Sequence, residues 1–359
     1  MVLTQGAPTD ELLPVALWVA PVADLGGVAR HFIDVAKAGI PGFRTVFLVP
    51  RGELADALDA TGADVIQGNF GVAAGLPKSI RELRRAVVTR GARVVHTHLA
   101  FADIAAALTP LPAGVVRISS EHGIADPEIY QSNALKARLM KAVHHWRTGR
   151  FARIIAVAKS TAEVMAKHWK PKAPVVLVYN GVDAPLGKRK PAETGPATRI
   201  LSLSRLSHEK RIGELLRGFA EYLKRHPGAV LTVAGTGPDQ DELHGEAKRL
   251  GIWKSVEFPG FVDAATAMQD AQVLVQLSKW ENCSYTLVDA RVRGLGIVAT
   301  RVGGNPEIVS EASLIDDLQP SSIADAIERQ SVANLTEAWP SVAQMCEQIA
   351  AVYREVARV

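Results

Sequence analysis

The sequence predicts an α/β chain folded as two halves, each a parallel sheet covered by helices on both faces. Three observations lead there. The chain is 359 residues long, which exceeds what one hydrophobic core usually organises. Short apolar runs rich in Val, Ile and Leu alternate with amphipathic stretches almost from end to end, the pattern of strands buried on both faces with helices between them. The alternation then restarts after "APLGKRKPAETGPATR" (184–199), a polar, Pro- and Gly-containing stretch that reads as a linker.

In the first half the predicted strands are "VALWVA" (15–20), "TVFLV" (45–49), "RVVHTH" (93–98), "VVRISS" (115–120), "RIIAVA" (153–158) and "VVLVY" (175–179). Helical periodicity covers 28–38, 77–90, 133–148 and 160–169. The second half repeats the scheme with strands "RILSLS" (199–204), "AVLTVAG" (229–235), "SVEF" (255–258), "VLVQL" (273–277) and "GIVAT" (296–300). Helices are expected over 212–225 and 239–250, and one more amphipathic helix over the tail, 341–359. The expected division is an N-terminal Rossmann-like domain 1–188, a linker 189–198, a C-terminal Rossmann-like domain 199–338, and a terminal helix 339–359 that crosses back to the first domain. Open parallel sheets bind ligands beyond the carboxyl ends of their strands. Two such sheets facing an interdomain cleft put any chemistry in the loops at those ends.

Composition narrows the rest. At 48% hydrophobic and 22% charged residues the chain has the make-up of a globular protein. A net charge of +4 suits anionic small ligands or an anionic surface, and no nucleic-acid partner is expected. Cys283 and Cys346 are too few for a disulfide framework and read as reduced thiols. The start lacks the basic-then-apolar order of a signal peptide, and no apolar run reaches the ~20 residues of a membrane span. The expected location is the cytoplasm, at the inner face of the cell membrane.

The strand-end loops hold the candidate residues. After the first strand, Gly26 and Gly27 allow a tight turn, and the N–H groups opening the next helix can face a phosphate. No G-x-G-x-x-G follows, which counts against a nicotinamide dehydrogenase. In "SRLSHEKR" (204–211), Arg205 and Lys210 offer a forked guanidinium and a point charge ahead of a helix, a pairing suited to a diphosphate. A solvated basic loop is the competing reading, and Glu209 is the one acid beside the two cations. Asp239 and Asp241 open a helix, where acids cap N–H groups and complement the dipole, so they are not read as metal ligands. His96 and His98 alternate at one strand end without a Cys or acid to complete a metal site. His122 ends a buried strand, and spacing alone leaves it open between a rim histidine and a ligand.

Taken in order, "GG" (26–27), "EHG" (121–123), "IIAVAKSTAEVM", "VYNGVD", "LSRLSHEK", "VAGTGPDQDEL", "VEFPGFV", "KWENCSYTLVDA" and "GLGIVATRVGGNPEIV" resemble the retaining glycosyltransferases of the GT-B fold, family 4-like. The resemblance runs over nearly the whole chain. It implies transfer of a sugar from a nucleotide-diphosphate-sugar to a hydroxyl acceptor with retention of configuration, in glycan, glycolipid or metabolite synthesis. In that family a Glu, seven residues and a second Glu hold the donor. Glu281 matches the sugar-contacting first acid, and Asp289 stands where the family has the ribose-binding second Glu. The shorter side chain pulls that carboxylate back by about 1.5 Å, one C–C bond. The resemblance also puts the backbone of Asn282, Cys283, Ser284, Tyr285 and Thr286 along the sugar and phosphates. It makes Arg205 and Lys210 the diphosphate clamp and turns His122 toward the donor sugar. No cofactor and no metal are expected, because the two cations neutralise the leaving group. The same fold also serves sugar-nucleotide epimerases and plain sugar-nucleotide-binding proteins. Product structure separates the first from a transferase, and nucleotide release in the presence of acceptor separates the second.

One stretch points to a further partner. Between Asn133 and Ala162 there is no acid, while Lys136, Arg138, Lys141, Arg147, Arg150 and Arg153 are basic. Leu135, Leu139, Val143 and Trp146 follow helical spacing and read as a core-facing stripe. The basic face of helix 133–153 gives an expectation of peripheral contact with anionic lipid, and of a lipid-linked acceptor.

Overall fold

A computed structural model describes residues 13–123, 134–184, 198–331 and 338–357, with the backbone alone for 134–137. The chain divides into two compact units, Met1–Gly181 with Pro340–Val359, and Val182–Trp339. Of the expected linker, 189–197 lies outside the described residues, as do Asn133 and the last two residues of the tail.

The first unit holds β1 (Val15–Val19), β2 (Arg44–Val49), β3 (Asp64–Gln67), β4 (Ala92–His98), β5 (Val116–Glu121), β6 (Arg153–Ala156) and β7 (Val175–Leu177). All pair in parallel in the order β3-β2-β1-β4-β5-β6-β7. The helices are α1 (Gly27–Ala38), α2 (Glu53–Asp59), α3 (Leu76–Arg90), α4 (Ala100–Leu108), α5 (Ala134–Thr148) and α6 (Lys159–Val164). β1 is buried at all five positions, which is why "VALWV" can be apolar throughout. Trp18, fully buried, packs edge-on to Phe32 and Phe47 and anchors one face of the sheet.

The second unit holds β8 (Arg199–Leu203), α7 (Ile212–Arg225), β9 (Val230–Ala234), α8 (Gln240–Arg249), β10 (Val256–Gly260), α9 (Ala264–Gln269) and β11 (Val273–Gln276). It continues with α10 (Tyr285–Val292), β12 (Gly296–Thr300), α11 (Asn305–Ile308), β13 (Leu314–Ile315) and α12 (Pro320–Ser331). Its strands are also parallel, in the order β10-β9-β8-β11-β12-β13. The last helix, α13 (Val342–Ala357), returns to the first unit, where Met345, Cys346, Ile349 and Tyr353 are buried in the same core as Trp18 and Phe47.

Several elements depart from the sequence pattern. It does not announce β3 or β13: β3 is a half-exposed edge strand with polar ends, and β13 is two residues long. The expected helix 160–169 is α6 followed by a wider π turn over Met165–Trp169. Asp239 stands at the N-cap of α8 but makes no side-chain capping bond, so Asp241 and Glu242 serve through the dipole alone. The stripe on α5 is a larger correction. Leu139 is 63% exposed and Trp146 36%, so these two face solvent instead of the core. The basic face is smaller too: Arg147 is buried, and Arg153 is paired with Glu355 of α13. No helix among the described residues is long and apolar enough to cross a membrane.

Candidate functional site

In each sheet the strand order reverses direction once, between β1 and β4 in the first unit and between β8 and β11 in the second. Loops leaving two strands at such a point diverge to opposite faces and leave a crevice at the carboxyl edge. The candidate residues fall at these two edges.

In the second unit the loop after β8 keeps β-type pairing for a few residues, with Ser204 N bonded to Ala234 O and Leu206 N to Thr236 O. Arg205 is exposed between them. A single turn over His208–Lys210 follows, then Arg211 in the left-handed region at φ 52°, and α7 begins. The loop after β11 brings in Ser278 and Glu281. Because β8 and β11 are neighbours, Lys210 Nζ reaches Glu281 Oε1 at 2.5 Å, and Ser278 Oγ donates to the same oxygen at 2.7 Å. Glu209, the acid next in sequence, is therefore not the partner of Lys210. Glu281 claims that charge across 71 residues of chain. Glu209 accepts from Ser207 Oγ at 2.7 Å. Burial pushes its carboxyl up, but the hydrogen bonds from Ser207 and its own N–H, with Lys210 and Arg205 nearby, carry it below its ordinary value.

The Glu281 backbone is clamped from the other side. Gly304 N donates to Glu281 O at 3.3 Å, and Gly303 sits at φ 49°, where a Cβ would lie 1.7 Å from that same oxygen. Only glycine fits there, both for the left-handed backbone and for the close approach. The Gly-Gly of "RVGGNPEIV" therefore holds the loop that carries the acid. Ser284 caps α10 by accepting from Leu287 N at 3.4 Å, and its hydroxyl donates to Gln276 Oε1 at 3.0 Å. Asn282, Cys283 and Tyr285 are buried, Ser284 and Thr286 half-buried. Asp289, a little over one turn into α10, is only 2% exposed and accepts from Arg293 Nη1 at 3.3 Å.

In the first unit Gly26 caps α1 with φ −172°, an extended conformation open to any residue, and Gly27 has no positive φ either. The tight-turn explanation for this pair therefore fails. A Cβ on Gly26 would meet nothing within 4 Å, and the segment is exposed. The histidines gather at the β4 and β5 ends. His122 Nε2 lies 2.7 Å from His98 Nδ1, and the two rings stack at 5.0 Å. Burial drives the His122 pKa down to about 4, so its ring is neutral at physiological pH. His96 is taken up by Tyr353 Oη at 2.6 Å and Ser120 Oγ at 2.8 Å, a structural role.

Beside His122 lies a cluster the sequence did not announce. Arg147 of α5 is 1% exposed and pairs with both Asp103 of α4 and Glu121 at the end of β5. Asp103 also accepts from Thr97 at 2.5 Å and Ser119 at 2.7 Å. The signal available in sequence was the acid-free run itself, in which one arginine fills a helical position that faces inward.

Comparison with known proteins agrees with this architecture. The model for Glycosyltransferase Family 4 matches residues 25–185, and that for Glycosyl transferases group 1 matches 186–331. Glycogen synthase of Mycobacterium tuberculosis is 27% identical over 195 residues, 52% of this chain and 47% of its own. One chain of the human phosphatidylinositol N-acetylglucosaminyltransferase is 24% identical over 309 residues, 78% of this chain and 62% of its own. The chain thus matches about half to three-fifths of the length of these relatives. Among solved structures, Anabaena HepE in complex with UDP-glucose superposes with a TM-score of 0.76 at 19% identity, covering 96% of this chain and 98% of that one. Across residues 25–331 the chain belongs to the GT-B glycosyltransferases of the family 4 type.

Proposed function

We propose that the protein transfers a sugar from a nucleotide-diphosphate-sugar to a hydroxyl acceptor, with retention of configuration. The observation that carries this reading is the Lys210–Glu281 pair at the strand-order reversal of the second unit. An ammonium has three donors. Lys210 can hold Glu281 with one and still offer two to a diphosphate, while Glu281 keeps its second oxygen for a sugar hydroxyl. Arg205, exposed five positions earlier, adds the forked partner a phosphate takes well. As the anomeric bond breaks, negative charge grows on the leaving phosphate, and fixed cations there lower the barrier. Arg205 and Lys210 supply that charge without a metal step. The leaving phosphate can take the acceptor's proton on the same face, which gives retention. His122, neutral, can donate or accept a hydrogen bond, and the open space at Gly26 admits a ligand close to the backbone.

A UDP-sugar is the first donor to test, since the structural neighbour was solved with UDP-glucose. Calorimetric titration with UDP-glucose is expected to show binding. Asp289→Glu is expected to keep or strengthen it, because the extra ~1.5 Å carries the carboxylate toward a ribose. Loss of binding in a folded Asp289→Glu would mean the shorter acid serves its contact with Arg293 and not the ribose.

A lipid-linked acceptor is supported by the solvent-facing Leu139 and Trp146 on α5, flanked by exposed Arg138, Lys141 and Arg150. An apolar strip with basic flanks suits an anionic bilayer surface, each basic residue adding ~1 kcal/mol. The human relative's name points to a phosphatidylinositol acceptor for that protein. Co-sedimentation with phosphatidylglycerol vesicles is expected, and it should weaken in Leu139→Ser/Trp146→Ser. Equal binding to neutral and anionic vesicles would remove the lipid surface from the account.

A further inference from the structure

We propose that His31, His98 and His122 form a binding site for a late first-row divalent cation of the zinc class. The three come from three elements of the first unit. His31 lies on the buried face of α1, His98 is the last residue of β4, and His122 directly follows β5. β4 and β5 are paired in parallel with His98 opposite Ser120, so a residue two positions on overhangs the His98 ring. One ring nitrogen from each histidine lies within 4.8 Å of the other two. A zinc ion held at ~2.0–2.1 Å by imidazole nitrogens sets its ligands about 3.3 Å apart. His98 Nδ1 and His122 Nε2 are a hydrogen-bonded pair at 2.7 Å, so a metal would replace that bond and part those two nitrogens slightly while His31 turns in.

The surroundings favour a metal over a merely packed cluster. Among the described residues His98 Nε2 is buried without a hydrogen-bond partner. The cluster rests on apolar rings: Trp18 stacks on His31 at 5.4 Å and tilts against His98 at 4.6 Å, and Phe32 meets His98 edge-on at 4.6 Å. Such a floor fixes ring orientation and keeps water off one side. Three imidazoles with a fourth position left for water or an anion is the ligand count of an open zinc site. The open side is that of His122, the least buried of the three. A cation there would hold the His122 ring away from a donor sugar. The expected consequence is inhibition of transfer by micromolar-range zinc, a part that rests on the function proposed above.

Cobalt(II) is the probe, because its visible absorption reports low-coordinate nitrogen ligation directly. Titration of the full, untagged chain is expected to give a band that saturates at one Co2+ per chain and is displaced by Zn2+. His31→Gln and His122→Gln should each abolish the band, with folding verified by circular dichroism. His122 is only partly buried, so its variant is the safer one for folding. No band in the wild type, or an undiminished band in both variants, overturns the site. Zinc should also inhibit UDP release from UDP-glucose in the wild type but not in His31→Gln. Co2+ binding without zinc inhibition keeps the site and overturns its effect on transfer. A wild type that binds Co2+ but has no transfer activity counts against the transferase reading alone.

Discussion

Lys210→Ala is expected to slow sugar transfer by roughly 10- to 200-fold. Hydrogen bonds to charged groups are worth ~1.5–3 kcal/mol, and each ~1.36 kcal/mol is tenfold in rate. The contact strengthens as the leaving diphosphate gains charge, so its loss falls on turnover and not on binding alone. Arg205→Ala should fall in the same range, and Arg205→Lys should recover only part of it, since an ammonium cannot reproduce the fork. The ion pair adds a condition that charge alone would not. Lys210 Nζ and Glu281 Oε1 are 2.5 Å apart, with side-chain exposures of 21% and 12%. Lys210→Ala therefore also leaves Glu281 with Ser278 as its remaining side-chain donor. The double variant Lys210→Ala/Glu281→Ala should be less impaired than the two single losses multiplied together. Initial rates of UDP release from UDP-glucose with acceptor, at saturating donor, are measured for the wild type, the two Arg205 variants, Lys210→Ala, Glu281→Ala and the double variant. Near-wild-type turnover in a folded Lys210→Ala would end the assignment of this loop to the phosphates.

That pair also marks where the sequence stops being readable. All strands but β3 and β13 are legible, because runs such as "VALWV", "VLVQ" and "GIVAT" are almost wholly apolar, the mark of strands covered on both faces. The acid at Glu281 and the cation at Lys210 stand out from their loops and from the family resemblance. Their direct contact does not, because it depends on β8 and β11 being neighbours, and strand order is a tertiary fact. The glycine that props up Glu281 belongs to a legible motif, but its reason, a Cβ at 1.7 Å from the Glu281 carbonyl, exists only in space. The α5 stripe fails for the opposite reason. Helical periodicity identifies an apolar face without saying whether protein or solvent meets it, and Leu139 and Trp146 meet solvent. His31 carries no signal at all until α1 packs it beside His98 and His122.

Arg147→Ala is expected to destabilise the first unit by about 3–5 kcal/mol at neutral pH, the usual consequence of removing one partner from a buried ion pair. Arg147 is 1% exposed and its two charged partners, Asp103 and Glu121, are 0% and 3%. One guanidinium answers both carboxylates, donates through Nε to His144 Nδ1 at 2.9 Å, and lies 4.9 Å from the Trp169 ring. Among the described residues, truncation leaves two buried carboxylates with the hydroxyls of Thr97 and Ser119, both spent on Asp103. Burial already pushes the Glu121 carboxyl up to about 8, and losing the cation pushes it further. A group whose pKa is raised by folding adds stability below its unfolded pKa and loses it as pH rises through the folded value. The deficit of the variant should therefore be small near pH 5, where the acids can protonate in place, and should still be growing at pH 8, where the raised Glu121 carboxyl begins to ionise. Two units need not unfold together, so the measurement is hydrogen-exchange protection of β4 and β5, which reports the first unit by itself. Arg147→Met should behave like Arg147→Ala at pH 8, because filling the volume does nothing for the stranded charges. Protection at pH 8 equal to the wild type in both variants would mean that the pairing energy only balances the cost of burying three charges, and that apolar packing, not the ion triad, holds α5 against the sheet edge beside His122.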